Sequence, residues 1–240
     1  MVEEMSVDFQ HDVTIFFYNP NIHPREEYEV RKEENKRFAE HLGIPFVDAD
    51  YDSDEWYRRA KGMEFCPERG TRCSMCFDMR FERTAVYAVE HGFSHFATTN
   101  ATSRWKDAAQ VNASGARSAA RYEGKVTYWA YDGHSEGLTR RKYEINAQHR
   151  FYKQEYCGCS YSLRDVNAYR SAQGEPPVRV PSAGVFDDPE RDAAEESPEV
   201  VASFFDFDSS DARTRERELR EIYRQRRKDG RRGREADNNW

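Results

Sequence analysis

The sequence predicts an α/β fold, a mostly parallel sheet with helices on both faces. Three observations predict it. Short β-rich runs alternate with longer stretches of helical spacing, those stretches stop at Gly43, Gly62 and Gly92, and the strand ends are polar. Glycine commonly ends helices, and open parallel sheets hold their ligands beyond the carboxyl ends of the strands.

Asp12 to Phe17 reads as a buried parallel strand, followed by a loop stiffened by Pro20 and Pro24. Glu26 to Leu42 sets Tyr28, Val30, Phe38 and Leu42 at helical spacing before Gly43. Ile44 to Asp48 is a second strand, and a helix capped by Ser53 carries Trp56 and Tyr57. Met63 to Arg72 is a loop, Cys73 to His91 a long helix, and Ser94 to Thr99 a third strand. A helix from near Trp105, a strand over Val126 to Tyr131 and a helix around Glu136 to Gln154 complete the regular part.

Composition divides the chain into a domain over residues 1–170 and a tail over 171–240. Ser171 to Val185 is rich in Pro, Gly and Ser, and Phe186 to Asp211 is strongly acidic, so this linker is expected to be largely disordered. Ser209 to Lys228 then has an apolar stripe of Leu219, Ile222 and Tyr223, with basic residues through Arg232 that either pair with the acidic linker or meet RNA phosphates. At 240 residues one core is expected. A net charge of -7 excludes a generally basic, nucleic-acid-coating surface, so any such contact is local. Met1 to Ser6 has no signal-peptide pattern and no run of about 18 apolar residues occurs, so a cytoplasmic protein without a membrane segment is expected. In that reducing compartment paired cysteines are metal ligands or redox catalysts more often than staples.

Four of the five cysteines form two pairs, Cys73 with Cys76 and Cys157 with Cys159. The first pair stands at a predicted helix start, where N–H groups favour thiolate. Four thiolates suffice for tetrahedral zinc or an iron-sulfur centre. Alternatively, Cys157 and Cys159 cycle between dithiol and a small, strained disulfide. Cys66 fits no ligand spacing and reads as a bystander thiol. Beside the cysteine loop, Asn19, Asn21, His23, Asp48, Asp50, Tyr51, Thr98, Thr99, Asn100 and Ser103 form the polar strand ends of a candidate pocket, the plainer reading being loop polarity and helix capping.

Four blocks in order, Phe16 to Pro24, Gly43 to Asp52, Gly70 to Arg83 and Gln154 to Ser162, resemble the QueH type of epoxyqueuosine reductase, over residues 12 to about 168. The resemblance implies an oxidoreductase that removes the epoxide oxygen of epoxyqueuosine at the wobble position of tRNA, the last step of queuosine synthesis. It also implies a Rossmann-like, HUP-like fold, a [4Fe-4S] cluster and, as an optional addition, a second mononuclear iron. Carried over, Cys73 and Cys76 are cluster ligands and Cys157 and Cys159 the redox-active pair, which divides the four thiols between two roles.

Two departures stand out. The family's other two ligands come from a Cys-Cys-x-Pro-Cys motif on a first strand upstream of the one matching Asp12 to Phe17, and this sequence lacks it. The expectation is a sequence that starts at an internal Met of a longer frame; the alternative is a diverged protein without a cluster. A Gly-Gly-Ser run common in the family is replaced by Glu136 to Thr139, keeping only Gly137, ahead of Arg141 and Glu144.

Converting an epoxide to an alkene takes two electrons, an acid for the oxygen and protons to carry it off as water. His23 and Asp50 are the candidate general acids, the latter if burial raises its pKa. Asn19, Asn21, Arg72 and Arg80 are candidate substrate contacts, with Arg83 beside them; ion pairs with Asp78 and Glu82 are the plainer use of these arginines. The electron donor is not readable. The rival class is a zinc-stabilised module that binds RNA or protein without chemistry. A PP-loop-like enzyme using ATP has no Gly-rich signature to support it.

Overall fold

A computed structural model of the chain describes residues 1–3, 5–6, 11–103, 106–130, 141, 144–146 and 148–180. Its elements run β1 (Ile15–Phe17), α1 (Arg25–Leu42), β2 (Phe46–Asp48), α2 (Ser53–Ala60), α3 (Thr71–Glu90), β3 (His95–Phe96), a 3-10 turn (Thr99–Thr102), α4 (Ala108–Ala120), β4 (Thr127–Tyr128) and α5 (Ser160–Ala172). Helix and strand alternate except where α3 follows α2 directly, and each strand is shorter than the apolar run that predicted it.

In α1, Glu26 and Glu27 complement the positive end of the helix dipole, and Gly43 at φ 65 turns its N–H back onto the carbonyls of Ala39 and Glu40. α2 begins at Ser53 itself, with Asp52 before it and no side-chain capping bond. α3 begins at Thr71 rather than Cys73. Gly70 makes that start possible, since a Cβ there would sit 2.9 Å from the Pro67 carbonyl oxygen. Both cysteines of the first pair therefore lie inside the helix.

Along α3, Phe77, Phe81, Ala85 and Ala88 recur at helical spacing and pack with Phe96, Ala101, Val111 and Val126 into one core. A second core joins Tyr18, Ala49, Trp56, Ala60, Met79 and Cys159. α3 thus serves both cores from different faces, which fixes its N-terminal turns. α4 is capped by the Asp107 carboxylate, which accepts from the Gln110 N–H at 3.1 Å; Trp105 lies outside the described residues. Where α4 meets β4 only glycine fits, because a Cβ on Gly115 would be 2.4 Å from the Tyr128 ring.

The expected single sheet is, among the described residues, two parallel pairs. β1 pairs with β2 in the register Ile15 to Phe46, and β3 with β4 in the register His95 to Thr127. The N–H of Ile15 and the carbonyl of Phe17 bond toward β2, so in a parallel ladder Phe16 turns its own N–H and C=O to the opposite edge. Ser94 and Phe96 likewise bond toward β4, which leaves His95 facing away. Residues of β1 and β3 line one cavity of about 2010 Å³. Ile15 and Phe16, predicted to be buried, are therefore only half-buried. Among the described residues the fold is thus an α/β arrangement with two short parallel pairs lining a common cavity, in place of the expected single Rossmann-like sheet.

The helix expected around Glu136 to Gln154 is helical at 141, 144–146 and 148–149 and ends at Arg150, which takes φ 47. Residues 131–140, including Gly137, lie outside the described residues, as does the predicted helix over Ser209 to Lys228. α5 was not anticipated. Beyond it the chain stays packed to Val178, which is buried against Tyr156 and Val166.

Candidate active site

Two structural devices bring the cysteine pairs together. The first is α3, where Cys73 and Cys76 lie at i and i+3 and so share a face. Their pKa values run against the expectation for a helix start. Burial first, then the charges of Cys157 and Cys76, push the Cys73 thiol up to about 12, and burial is also the largest cause raising Cys76. Desolvation outweighs the helix dipole, as Cys73 packs against the first core and Cys76 against the second. Trp56, 1 % exposed, has its indole N–H beside the Cys76 thiol.

The second device is the loop Cys157-Gly158-Cys159 leading into α5. Gly158 has φ 130, and a Cβ there would meet Arg31, Asn21 and Ile22 at 3.1 to 3.2 Å. Only glycine serves both constraints. Arg31 of α1 holds the loop by donating to the carbonyls of Cys157 at 3.1 Å and Tyr156 at 3.0 Å. Arg31 is in turn held by Glu27 at 2.7 Å, a fully buried carboxylate that also accepts from the Tyr152 hydroxyl at 2.8 Å. The His23 N–H donates to the Gly158 carbonyl at 2.8 Å, and the Tyr156 hydroxyl donates to the His23 carbonyl. The Cys157 N–H donates to Ser162 Oγ at 3.1 Å, and that hydroxyl donates to Glu68.

The two sulfurs of this loop differ. Cys159 is buried, its Sγ caps α5 by accepting from the Ser162 N–H at 3.4 Å, and burial followed by the charge of Cys157 raises its pKa. Cys157 is half-buried and receives Lys106 Nζ at 3.0 Å. Burial alone would lower the Lys106 ammonium, but the charge and hydrogen bond of Cys157 outweigh it and raise it. Cys73, Cys76 and Cys159 all feel the charge of Cys157, so the four thiols occupy one neighbourhood. All are free thiols. Among the described residues no three His, Cys, Asp or Glu side chains stand together as a metal-holding group.

The other predicted residues divide. Arg80 donates to Asn19 Oδ1 at 2.6 Å and to the Tyr18 carbonyl at 3.3 Å, tying α3 to the end of β1. Asn21 is buried, and its side-chain oxygen has no hydrogen-bond partner among the described residues. It lines the cavity beside the cysteine loop. Arg72 is 1 % exposed, donates to the carbonyls of Met63 and Glu64, and lies over the Tyr161 ring at 4.9 Å. His23 has an exposed side chain edge-on to Tyr57, so it is the backbone of this residue that engages the loop. The Asp50 side chain is 80 % exposed, with Arg83 at 3.7 Å, and lacks the burial that its acid role required. Asp78 pairs with Arg117, and Glu82 with Arg121 and Arg59, while Arg80 engages Asn19 and Arg83 lies near Asp50. Cys66 lies 3.3 Å from Thr71 Oγ1, apart from both pairs.

Sequence reasoning missed Arg31, Glu27, Ser162, Glu68 and Lys106. Glu27 and Arg31 stand at i and i+4, a legible pair, but in so charged a helix they read as a solvated face. Lys106 carried no local signal.

The family profile described as epoxyqueuosine reductase QueH matches residues 1–165. The epoxyqueuosine reductase QueH of Histophilus somni is 57 % identical over 169 residues, covering 70 % of this chain and 69 % of that protein. That of Haemophilus influenzae is 56 % identical over 169 residues, with the same coverage of both chains. That of Acinetobacter baylyi is 54 % identical over 169 residues, covering 77 % of that protein. The chain is therefore an oxidoreductase. It belongs to the epoxyqueuosine reductase QueH family.

Proposed function

We propose that this chain reduces epoxyqueuosine in tRNA to queuosine. The observation that carries the reading is the convergence of two thiol pairs at one cavity, in a chain of this family. Removing the epoxide oxygen consumes two electrons and two protons and releases water. A dithiol that closes to a disulfide releases two electrons and two protons, so Cys157 and Cys159 balance the reaction, and an outside reductant reopens them. Asn19, held by Arg80, and Asn21, with its free oxygen, orient the nucleoside. A chain of net charge -7 meets tRNA through a local patch. Of the two acids weighed, His23 borders the cysteine loop, whereas Asp50 stands in solvent beside Arg83.

Cys73 and Cys76 would hold a [4Fe-4S] cluster. The donor set fits in part, since two thiols on one helix face supply one half of the four ligands. The resemblance implies a further pair of thiols from a Cys-Cys-x-Pro-Cys motif, which this sequence does not contain. When bound, the cluster supplies electrons one at a time. A second, mononuclear iron would need ligands beyond any group of three among the described residues.

The test is anaerobic isolation, assay of iron and acid-labile sulfide, and single-turnover deoxygenation of tRNA bearing epoxyqueuosine, read by nucleoside mass. Iron, sulfide and loss of one oxygen are expected, with the frame extended upstream if the 240 residues alone stay colourless. Zinc in place of iron, with no oxygen lost in either form, would make the chain a zinc-stabilised binding module. Full turnover in both His23→Ala and Asp50→Asn would remove the two acids.

A further inference from the structure

Lys106 is a half-buried cation with no carboxylate partner among the described residues, and desolvation is the largest influence on its ammonium. Its Nζ lies 3.0 Å from Cys157 Sγ and 5.8 Å from the centre of the Phe77 ring. An ammonium taken out of water into such surroundings is retained only if an anion offsets its desolvation. Cys73 also contributes charge to Lys106, but among the described residues Cys157 is the thiol within hydrogen-bond distance of its Nζ. Arg80, the second cation felt by Lys106, is engaged by Asn19 and the Tyr18 carbonyl and does not replace it. Among the described residues Cys159 has no lysine or arginine in hydrogen-bond contact: its sulfur faces the Ser162 N–H, and Arg72, whose charge it feels, donates to the Met63 and Glu64 carbonyls.

We propose that Lys106 holds Cys157 as the thiolate of the pair, so that Cys157, and not Cys159, forms the mixed disulfide with an outside dithiol reductant. The inference rests on the redox-pair reading above and names the class of donor. In the first step a thiolate of the donor attacks Cys157 Sγ, the Cys157–Cys159 bond breaks, and Cys159 leaves and takes up a proton. In the second, the donor's other thiolate attacks its own sulfur in the mixed disulfide and Cys157 leaves as a thiolate beside the Lys106 ammonium. The donor is oxidised to a disulfide and the chain is reduced to the dithiol. Exposure agrees with this order, since Cys157 is half-buried and Cys159 is buried.

The experiment uses the full chain, reduced, with limiting iodoacetamide at neutral pH and peptide mass mapping, and Cys66 as internal reference. Cys157 is expected to react first, at about tenfold the rate of Cys159, because the thiolate is the nucleophile and Cys157 is also the more exposed sulfur. Lys106→Met should remove that lead and Lys106→Arg restore it. A second measurement does not depend on Lys106→Met folding: with oxidised glutathione, Cys159→Ser should trap a mixed disulfide at Cys157, and Cys157→Ser should trap none at Cys159. Cys159 reacting first, equal rates in Lys106→Met and the native chain, or a mixed disulfide at Cys159 would each overturn the inference. Because alkylation needs no cluster and no tRNA, a lost deoxygenase reading with this order intact would count against the function alone.

Discussion

At the residue scale, the site depends on a side chain that never touches a sulfur. Arg31 grips two carbonyls of the cysteine loop and is gripped by Glu27, so it transmits the position of α1 to Cys157. Removing one member of a buried ion pair strands the other. Arg31→Met leaves the Glu27 carboxylate with the Tyr152 hydroxyl alone and should cost about 3 kcal/mol, the lower end of the 3–5 expected for breaking a buried pair, because that hydroxyl remains. A urea midpoint lowered accordingly, together with a slower Cys157 alkylation, is the expected result. An unchanged midpoint would mean that the loop is held elsewhere. The same scale explains the reassignment of Arg72. A guanidinium written beside a cysteine in sequence looks available for phosphate, but its position on α3 turns it inward, over Tyr161.

At the element scale, helix ends carry the chemistry. α3 starts at Gly70 and so includes both cysteines, and α5 starts at a cysteine that serves as its cap. A hydroxyl replaces a thiol acceptor at such a position, whereas a methyl does not. Cys159→Ser should therefore keep the stability of the native chain or raise it slightly, while Cys159→Ala should lose about 1 kcal/mol, as measured by thermal denaturation of the reduced proteins. Equal losses in both would show that the sulfur packs rather than caps. α5 is illegible in the sequence for this reason, since cysteine is not among the usual capping residues. α1 was legible to within a residue because its signals, acidic residues at the start and Gly43 at the end, are local.

At the scale of the whole molecule, the two half-sheets meet the alkaline range with buried phenols. Burial pushes Tyr128 up to about 12, and burial followed by Asp52 does the same for Tyr18, from an ordinary value of 10.0. A folded-state pKa above the unfolded one means that the folded chain keeps its proton longer. The stability these groups contribute is whole below pH 10 and is lost as pH rises toward 12, because the unfolded chain ionises first. Urea midpoints should thus fall between pH 10 and pH 11.5, about the middle of that window, and substitution of Tyr128 by Phe should flatten the fall. A midpoint constant across that range would contradict the burial assigned to both rings. Below pH 9 these tyrosines should leave stability indifferent to pH.

What the sequence determined by itself was whatever is encoded locally: the alternation of helix and strand, the glycine stops, the two cysteine pairs and, through four ordered blocks, the family. Each depends on residues within a few positions of one another, where spacing and propensity are readable. The tertiary structure decided what depends on distant residues. It set α1 against the cysteine loop, made Cys157 the partner of Lys106 and Cys159 a buried cap, and turned Asp50 out to solvent beside Arg83. It also separated the sheet into two pairs across a shared cavity. Strand pairing and the pKa of a thiol are set by what lies across the fold, through hydrogen-bond partners and desolvation, and no local pattern records either.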